Sequence, residues 1–277
     1  MHEMHETPEQ PYQVATETWV IPHLFPVPVV GNLYINSLVI RGPEPILVDT
    51  GSPVVRPDWL RQAWSIVDPA DVRWIFISHD DGDHVGNLAE VLDACSNATV
   101  VASWMTFGHL HVHGRGVPPE RSMVIADGET FTAGDRTLLA FRPPIYDSPA
   151  TRALFDTTTG VLWASDAFGG FVPGPVHDAR DLPDDEWMDG LSAFSRLISP
   201  WHPLVDDARF QPTVDRVATL GAHTITSCHG PALRGPSVDQ ALDLVRRLPA
   251  LEPWTEPTRS DMELFMATLM AGAPAVP

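Results

Sequence analysis

Two histidines and three aspartates crowd into six consecutive positions, His79-Asp80-Asp81-Gly82-Asp83-His84, directly after the apolar run Val72–Ser78. Carboxylates packed this closely repel one another unless solvent or a cation neutralises them. The apolar run reads as a buried strand, and a helical pattern, Gly86–Cys95, begins just beyond the cluster, with Leu88, Val91 and Leu92 on one face. Side chains at 79 and 81 can point one way while those at 83 and 84 point another, a geometry that admits two neighbouring cations. Gly82 supplies the backbone freedom of such a turn. An isolated Asp-rich turn also reads as a solvated helix cap with Asp83 at the N-cap. The two histidines and the apolar strand before them weigh against that.

The rest of the chain alternates strands with helices. Leu33–Ile40 and Pro45–Asp49 read as strands joined by the turn Arg41-Gly42-Pro43. Thr99–Ala102, Thr137–Phe141, Val161–Ala164 and Thr224–Cys228 read as further strands. Pro57–Val67, Glu186–Ile198, Arg209–Leu220 and Val238–Leu248 carry helical spacing. The class is therefore α/β. Residues 1–18, with His2 and His5 near the start, read as a flexible tail, and 19–277 as a single domain whose longest loop is Phe171–Asp185.

Composition narrows the function. All seventeen basic residues are arginine, so a phosphate-binding P-loop lysine and Schiff-base chemistry are both excluded. A net charge of −19 argues against nucleic acid or an anionic membrane as the partner. Two cysteines, Cys95 and Cys228, are too few for a disulfide framework or a cysteine zinc cluster. With no signal-like start and no long apolar run, the chain reads as a soluble, cytoplasmic protein.

Four ordered motifs then carry a resemblance. His79-x-Asp81-x-Asp83-His84 resembles the His-x-His-x-Asp-His signature of the metallo-β-lactamase superfamily. Asp49-Thr50-Gly51 resembles its early strand end, Asp166-Ala167-Phe168-Gly169 the strand end with the bridging aspartate, and His229-Gly230-Pro231 the last ligand. The carboxylate at Asp81 is similar to the flavodiiron and oxygen-binding di-iron branch, which has Glu there. The resemblance implies a four-layer αβ/βα sandwich with a dinuclear centre. One metal would take His79 and Asp81, the other Asp83, His84 and His229, and Asp166 would bridge. Where the family places a further histidine this chain has Tyr146, in Pro143-Pro144-Ile145-Tyr146-Asp147-Ser148-Pro149. Its roles stand open between phenolate ligand, partner of a metal-bound water and mark of a weak site.

Replacing nitrogen donors with oxygen favours harder cations, so iron is expected ahead of zinc, with manganese as an alternative. Iron implies oxidoreductase chemistry with dioxygen or nitric oxide, on a small molecule or through a redox partner. Two alternatives stand beside it: a zinc hydrolase of esters, amides or thioesters, and a non-catalytic oxygen or nitric oxide sensor. Only 48 residues follow His229, so no flavin is expected in this chain and a separate electron donor is. The resemblance also implies a homodimer.

Other groups are open to a blander reading. Asp147 is either an acid–base group beside Tyr146 or part of a turn with Ser148-Pro149. His202, in Trp201-His202-Pro203, either lines the pocket or packs a loop. His109, His111 and His113 form a second candidate metal cluster, or a surface loop. Strand alternation turns Cys228 away from His229 and into the core. Asp49 is expected to orient a neighbouring loop through hydrogen bonds and not to bind metal.

Overall fold

The computed structural model describes residues 9–270. The chain opens with β1 (Tyr12–Ala15), β2 (Thr18–Ile21) and the hairpin β3 (Leu24–Val27) and β4 (Gly31–Tyr34). It continues through β5 (Ser37–Ile40), β6 (Ile46–Val48), α1 (Arg56–Ile66), β7 (Trp74–Phe76), α2 (Gly82–Val85), α3 (Leu88–Ala94), β8 (Thr99–Ala102), α4 (Trp104–Val112) and β9 (Ser122–Val124). The second half holds β10 (Thr130–Ala133), β11 (Arg136–Phe141), β12 (Ala153–Asp156), β13 (Val161–Trp163), α5 (Asp184–Ile198), α6 (Asp207–Thr219), β14 (Thr224–Thr226), β15 (Leu233–Arg234), α7 (Pro236–Arg247) and α8 (Arg259–Met270).

One sheet has the order β1-β2-β5-β6-β7-β8-β9, parallel from β6 onward. The other runs β10-β11-β12-β13-β14-β15, with β13 and β14 parallel. Period-two alternation sorts each strand's residues between layers. Leu38, Ile40, Ile46, Val48 and Phe76 meet Leu138, Ala140, Leu154, Val161 and Trp163 between the sheets. Val39, Leu47, Ile75 and Val100 face the opposite way, into a layer with Trp59 and Ala63 of α1, Val91 of α3 and Leu110 of α4. On the outer side of the second sheet Phe141, Phe155 and Leu162 pack under Leu191 of α5, Val214 of α6 and Ala241 of α7. The result is the expected four-layer αβ/βα sandwich.

Several boundaries differ from the sequence reading. His2 and His5 lie outside the described residues, but Tyr12–Ala15 of the expected tail is an edge strand paired with β2. The single strand expected over Leu33–Ile40 breaks at Ile35-Asn36 into β4 and β5, which belong to different sheets. The histidine-rich stretch is neither strand nor loop: Ser103 caps α4 by accepting from the Thr106 amide, and Thr106 and Leu110 are buried beneath it. Among the described residues no helix is long and apolar enough to cross a membrane.

Candidate metal centre

Loops at the carboxyl ends of β6, β7, β11, β13 and β14 gather at one edge of the sandwich, where α/β folds usually bind ligands. They carry Asp49, His79 to His84, Asp147, Asp166 and His229 respectively.

Asp166 lies at the middle, fully buried, and its two oxygens face different groups. Oδ1 is 3.0 Å from Nε2 of His84 and 3.3 Å from Nε2 of His229. Oδ2 is 3.6 Å from Nε2 of His79. Asp83 Oδ2 closes the first group at 3.7 Å from His84 and 3.4 Å from His229. Asp81 Oδ2 and Asp147 Oδ1 close the second at 3.8 and 3.9 Å from His79 Nε2. Asp81 occupies the N-cap position of α2 yet makes no capping bond, which leaves its carboxylate directed at this group.

The imidazoles are aimed from behind. Nδ1 of His84 donates to Asp49 Oδ2 at 2.9 Å, and Nδ1 of His229 donates to the Tyr34 carbonyl at 2.9 Å. Nδ1 of His79 reaches Ser165 Oγ at 3.2 Å. Ser165 Oγ donates to Ser78 Oγ at 3.0 Å, and Ser78 Oγ donates to Asp49 Oδ2 at 2.8 Å. The Ser78 amide and Trp163 Nε1 also donate to Asp49, at 2.8 and 3.1 Å. With the proton of each neutral ring held on Nδ1, each Nε2 would turn its lone pair toward the centre once a metal displaces the proton there. Asp49 and Ser165 hold positive φ angles of 56° and 58°, a local strain of about 1–3 kcal/mol each that the surrounding bonds sustain.

Two loops clamp the residues of the cluster. Thr50 N and Oγ1 donate to the His84 carbonyl, and Asn87 Nδ2 donates to the Thr50 carbonyl. Close approach here falls at Gly86, not Gly82. A Cβ at 86 would lie 2.5 Å from the Gly82 carbonyl and 2.6 Å from that of Gly51, whereas one at 82 would meet open space. On the other side Asn36 Nδ2 donates to the carbonyls of Ser227 and Gly230, each at 2.9 Å, bracketing His229. Tyr34 and Asn36 were not among the sequence candidates. Their only trace was a polar Asn in an otherwise apolar run.

Electrostatics agree with a site built for cations. Burial alone would push the His84 and His229 imidazoles down. The facing acidic groups outweigh it, Cys228, Asp83, Asp49 and Asp166 for His84 and Cys228 and Asp166 for His229, and both stand well above the ordinary range. Asp166, whose burial would raise it, is held far below by His79, His84 and His229. Asp147 is pushed up to about 6 by burial and by the Asp166 carboxylate. His79 Nε2, His84 Nε2 and Asp166 Oδ1 are buried and, among the described residues, meet only one another and the other acidic and imidazole groups of the cluster, with no well-aligned hydrogen bond. Orphaned polar atoms of this kind need an explanation. Three of them converging among carboxylates fit bound metal. Three imidazoles and four carboxylates carry four negative charges, which two divalent ions would neutralise.

Asp147, not Tyr146, faces His79. The Tyr146 ring lies 5.2 Å from that of Trp201 and beneath the Arg142 guanidinium, and Trp201 Nε1 donates to the Tyr146 carbonyl at 3.1 Å. Among the described residues the Tyr146 hydroxyl makes no hydrogen bond. His202 is fully buried and donates from Nδ1 to the Leu248 carbonyl at 2.7 Å, and it is not among the clustered groups that could hold a metal. His109 stays outside the centre as well, its Nδ1 2.8 Å from Asp80 Oδ1. Cys228 is buried in the core as expected, yet its Sγ lies within 4.8 Å of ligating atoms of Asp83, His84 and His229. β14 ends at Thr226, so strand alternation does not govern residues 228 and 229.

Residues 33–230 match the family model described as "ODP family beta lactamase". An anaerobic nitric oxide reductase flavorubredoxin of Salmonella typhi is 27% identical over 199 residues, 68% of this chain and 40% of that protein. The flavodiiron protein of Giardia intestinalis superposes with a TM-score of 0.76 at 18% identity, covering 87% of this chain and 59% of the other. Rubredoxin oxygen:oxidoreductase of Desulfovibrio gigas gives a TM-score of 0.76 at 17% identity, over 88% and 62% of the two chains. This chain spans about half or less of the length of the curated relatives it matches. With that match running through every motif of the site, the chain belongs to the ODP family beta lactamases.

Proposed function

We propose that the centre holds two iron ions, His79, Asp81, Asp147 and Asp166 binding one and Asp83, His84, His229 and Asp166 the other, and that it serves an oxidoreductase acting on dioxygen or nitric oxide. The observation that carries this reading is the division of Asp166, one oxygen toward His79 and the other toward His84 and His229. Four carboxylates among seven donors favour a hard, redox-active cation over zinc. The Salmonella typhi relative is named a nitric oxide reductase and the Desulfovibrio gigas neighbour an oxygen:oxidoreductase, which supports the same class.

Bound iron would supply the electrons and the Lewis acidity for reduction of a diatomic ligand. The chain's own residues do the rest. Asp49 fixes the ring of His84 directly and that of His79 through Ser78 and Ser165, so neither imidazole reorganises when metal charge changes. Tyr34 and Asn36 hold His229. The ring of Tyr146, set between Arg142 and Trp201, steadies the loop that presents Asp147. Access is from the side of Asp81, the most exposed of the seven. Electrons reach the centre from a redox donor outside this sequence, and the product leaves as a small molecule.

The reading is tested by mixing anaerobically reduced, iron-loaded protein with stoichiometric dioxygen or nitric oxide. Rapid consumption of either gas with oxidation of both irons is expected, and zinc-loaded protein should be inert. Iron-loaded protein that consumes neither gas would overturn it.

A further inference from the structure

Asp166 divides the centre into halves of different chemistry. The half at Oδ1 has two imidazoles, His84 and His229, and two carboxylates, Asp83 and Asp166, with the Cys228 sulfur within 4.8 Å of its donors. The half at Oδ2 has one imidazole, His79, and three carboxylates, Asp81, Asp147 and Asp166. The groups behind the rings differ in the same sense. His84 donates to the buried carboxylate of Asp49, whereas His79 has only the neutral hydroxyls of Ser165 and Ser78. A charged acceptor behind an imidazole makes it the stronger donor.

Exposure adds to the asymmetry. The side chains of Asp81 and Asp147 are 55% and 31% exposed. Those of His84 and His229 are 0% and 8% exposed, and Asp83 is 27% exposed. Water can therefore compete for an ion on the His79 side far more readily than on the His84 side. Oxygen donors also narrow the advantage of iron over manganese, while nitrogen and sulfur widen it.

We infer that the two halves are unequal: the His84–His229 half binds the first ion and keeps it, while the His79–Asp147 half is a labile, oxygen-rich site that exchanges its ion and accepts manganese(II) in place of iron(II). This rests on the dinuclear reading of the centre proposed above.

The test is anaerobic dialysis of the iron(II)-loaded full chain against graded chelator, with metal counted by mass spectrometry. Manganese(II) is then offered to the partly stripped protein and followed by electron paramagnetic resonance. The expected result is a plateau at one iron per chain across at least about a tenfold range of chelator, followed by uptake of one manganese beside the retained iron. Loss of both irons in one step, or manganese that displaces the retained iron, overturns the inequality while leaving the dinuclear reading intact. A chain that never holds two ions under excess iron overturns the dinuclear reading, and the inequality with it. Asp147→Asn should lose the second ion and keep the first. Asp147→His, which adds an imidazole, should extend retention of the second by about tenfold. An Asp147→Asn protein that loses both ions, or neither, overturns the assignment of the labile half.

Discussion

Asp49 is a fully buried charge that accepts from the Ser78 amide and hydroxyl, from Trp163 and from His84, so one carboxylate aims imidazoles of both proposed metal positions. Asp49→Asn keeps the shape but removes the charge and sets an amide against those donors. Metal affinity should fall about 10–100-fold, read from metal per chain against chelator; unchanged affinity would contradict the role given to Asp49. Tyr146 and Asp147 separate cleanly by substitution. Tyr146→Phe should leave metal content at the parent level, because the ring packs on Trp201 while the neighbouring carboxylate faces His79; a one-ion protein would return the ligand role to the phenol. The pH response follows from His84 and His229, both raised above the ordinary 6.5. A raised folded-state value adds stability that is present below 6.5 and is lost as pH rises through the folded values. The melting temperature of metal-free protein should therefore fall as pH climbs above about 6.5, and metal binding near neutrality should release protons. A flat metal-free profile and no proton release would contradict this.

The elements contribute mainly by their ends. Loop 49–52 grips residues 84–87, where α2 ends and α3 begins, and the contact is close enough that Gly86 admits no side chain. Gly86→Ala should cost about 1–3 kcal/mol in thermal or denaturant unfolding, through displacement of the Gly51 and Gly82 carbonyls. A neutral effect would show that the clamp is loose. The cluster His79–His84 stood out because its charged residues follow an apolar strand, whereas Asp49, Asp166 and His229 were singled out only through their resemblance to the family's ordered motifs. Asp147 was only half legible. Its type was noted, but two adjacent candidates on an irregular loop cannot be ordered without knowing which side chain the Trp201 contact captures. α4 was hidden because alternate histidines mimic a strand, while the features that make it a helix are one serine cap and two buried residues.

At the scale of the molecule, alternation along β5, β6, β11 and β13 determines which residues meet between the sheets; the strands themselves were legible as apolar runs, but β5, β6 and β13 are buried on both faces, so their inner face was not. β10 and β12 went unread, although β10 alternates exposed Thr130 and Thr132 with buried Phe131 and Ala133; both are recognised through their pairing with β11. β1 escaped too: among the described residues it pairs with β2 alone, at the sheet edge. The sandwich holds the carboxylates of the centre rigidly together, so ions that bind the folded chain should stabilise it as a whole. Saturating metal at about a hundredfold above its dissociation constant adds about 2.7 kcal/mol, and chelation should lower the melting temperature accordingly. The central claim, a dinuclear iron centre bridged by Asp166, is tested most directly by metal content. Protein would be produced with iron and zinc both in excess, its metals counted by mass spectrometry, and its visible spectrum taken before and after oxygen. Two irons per chain and a spectrum that changes with oxygen are predicted. Two zincs per chain and a spectrum indifferent to oxygen would contradict the account.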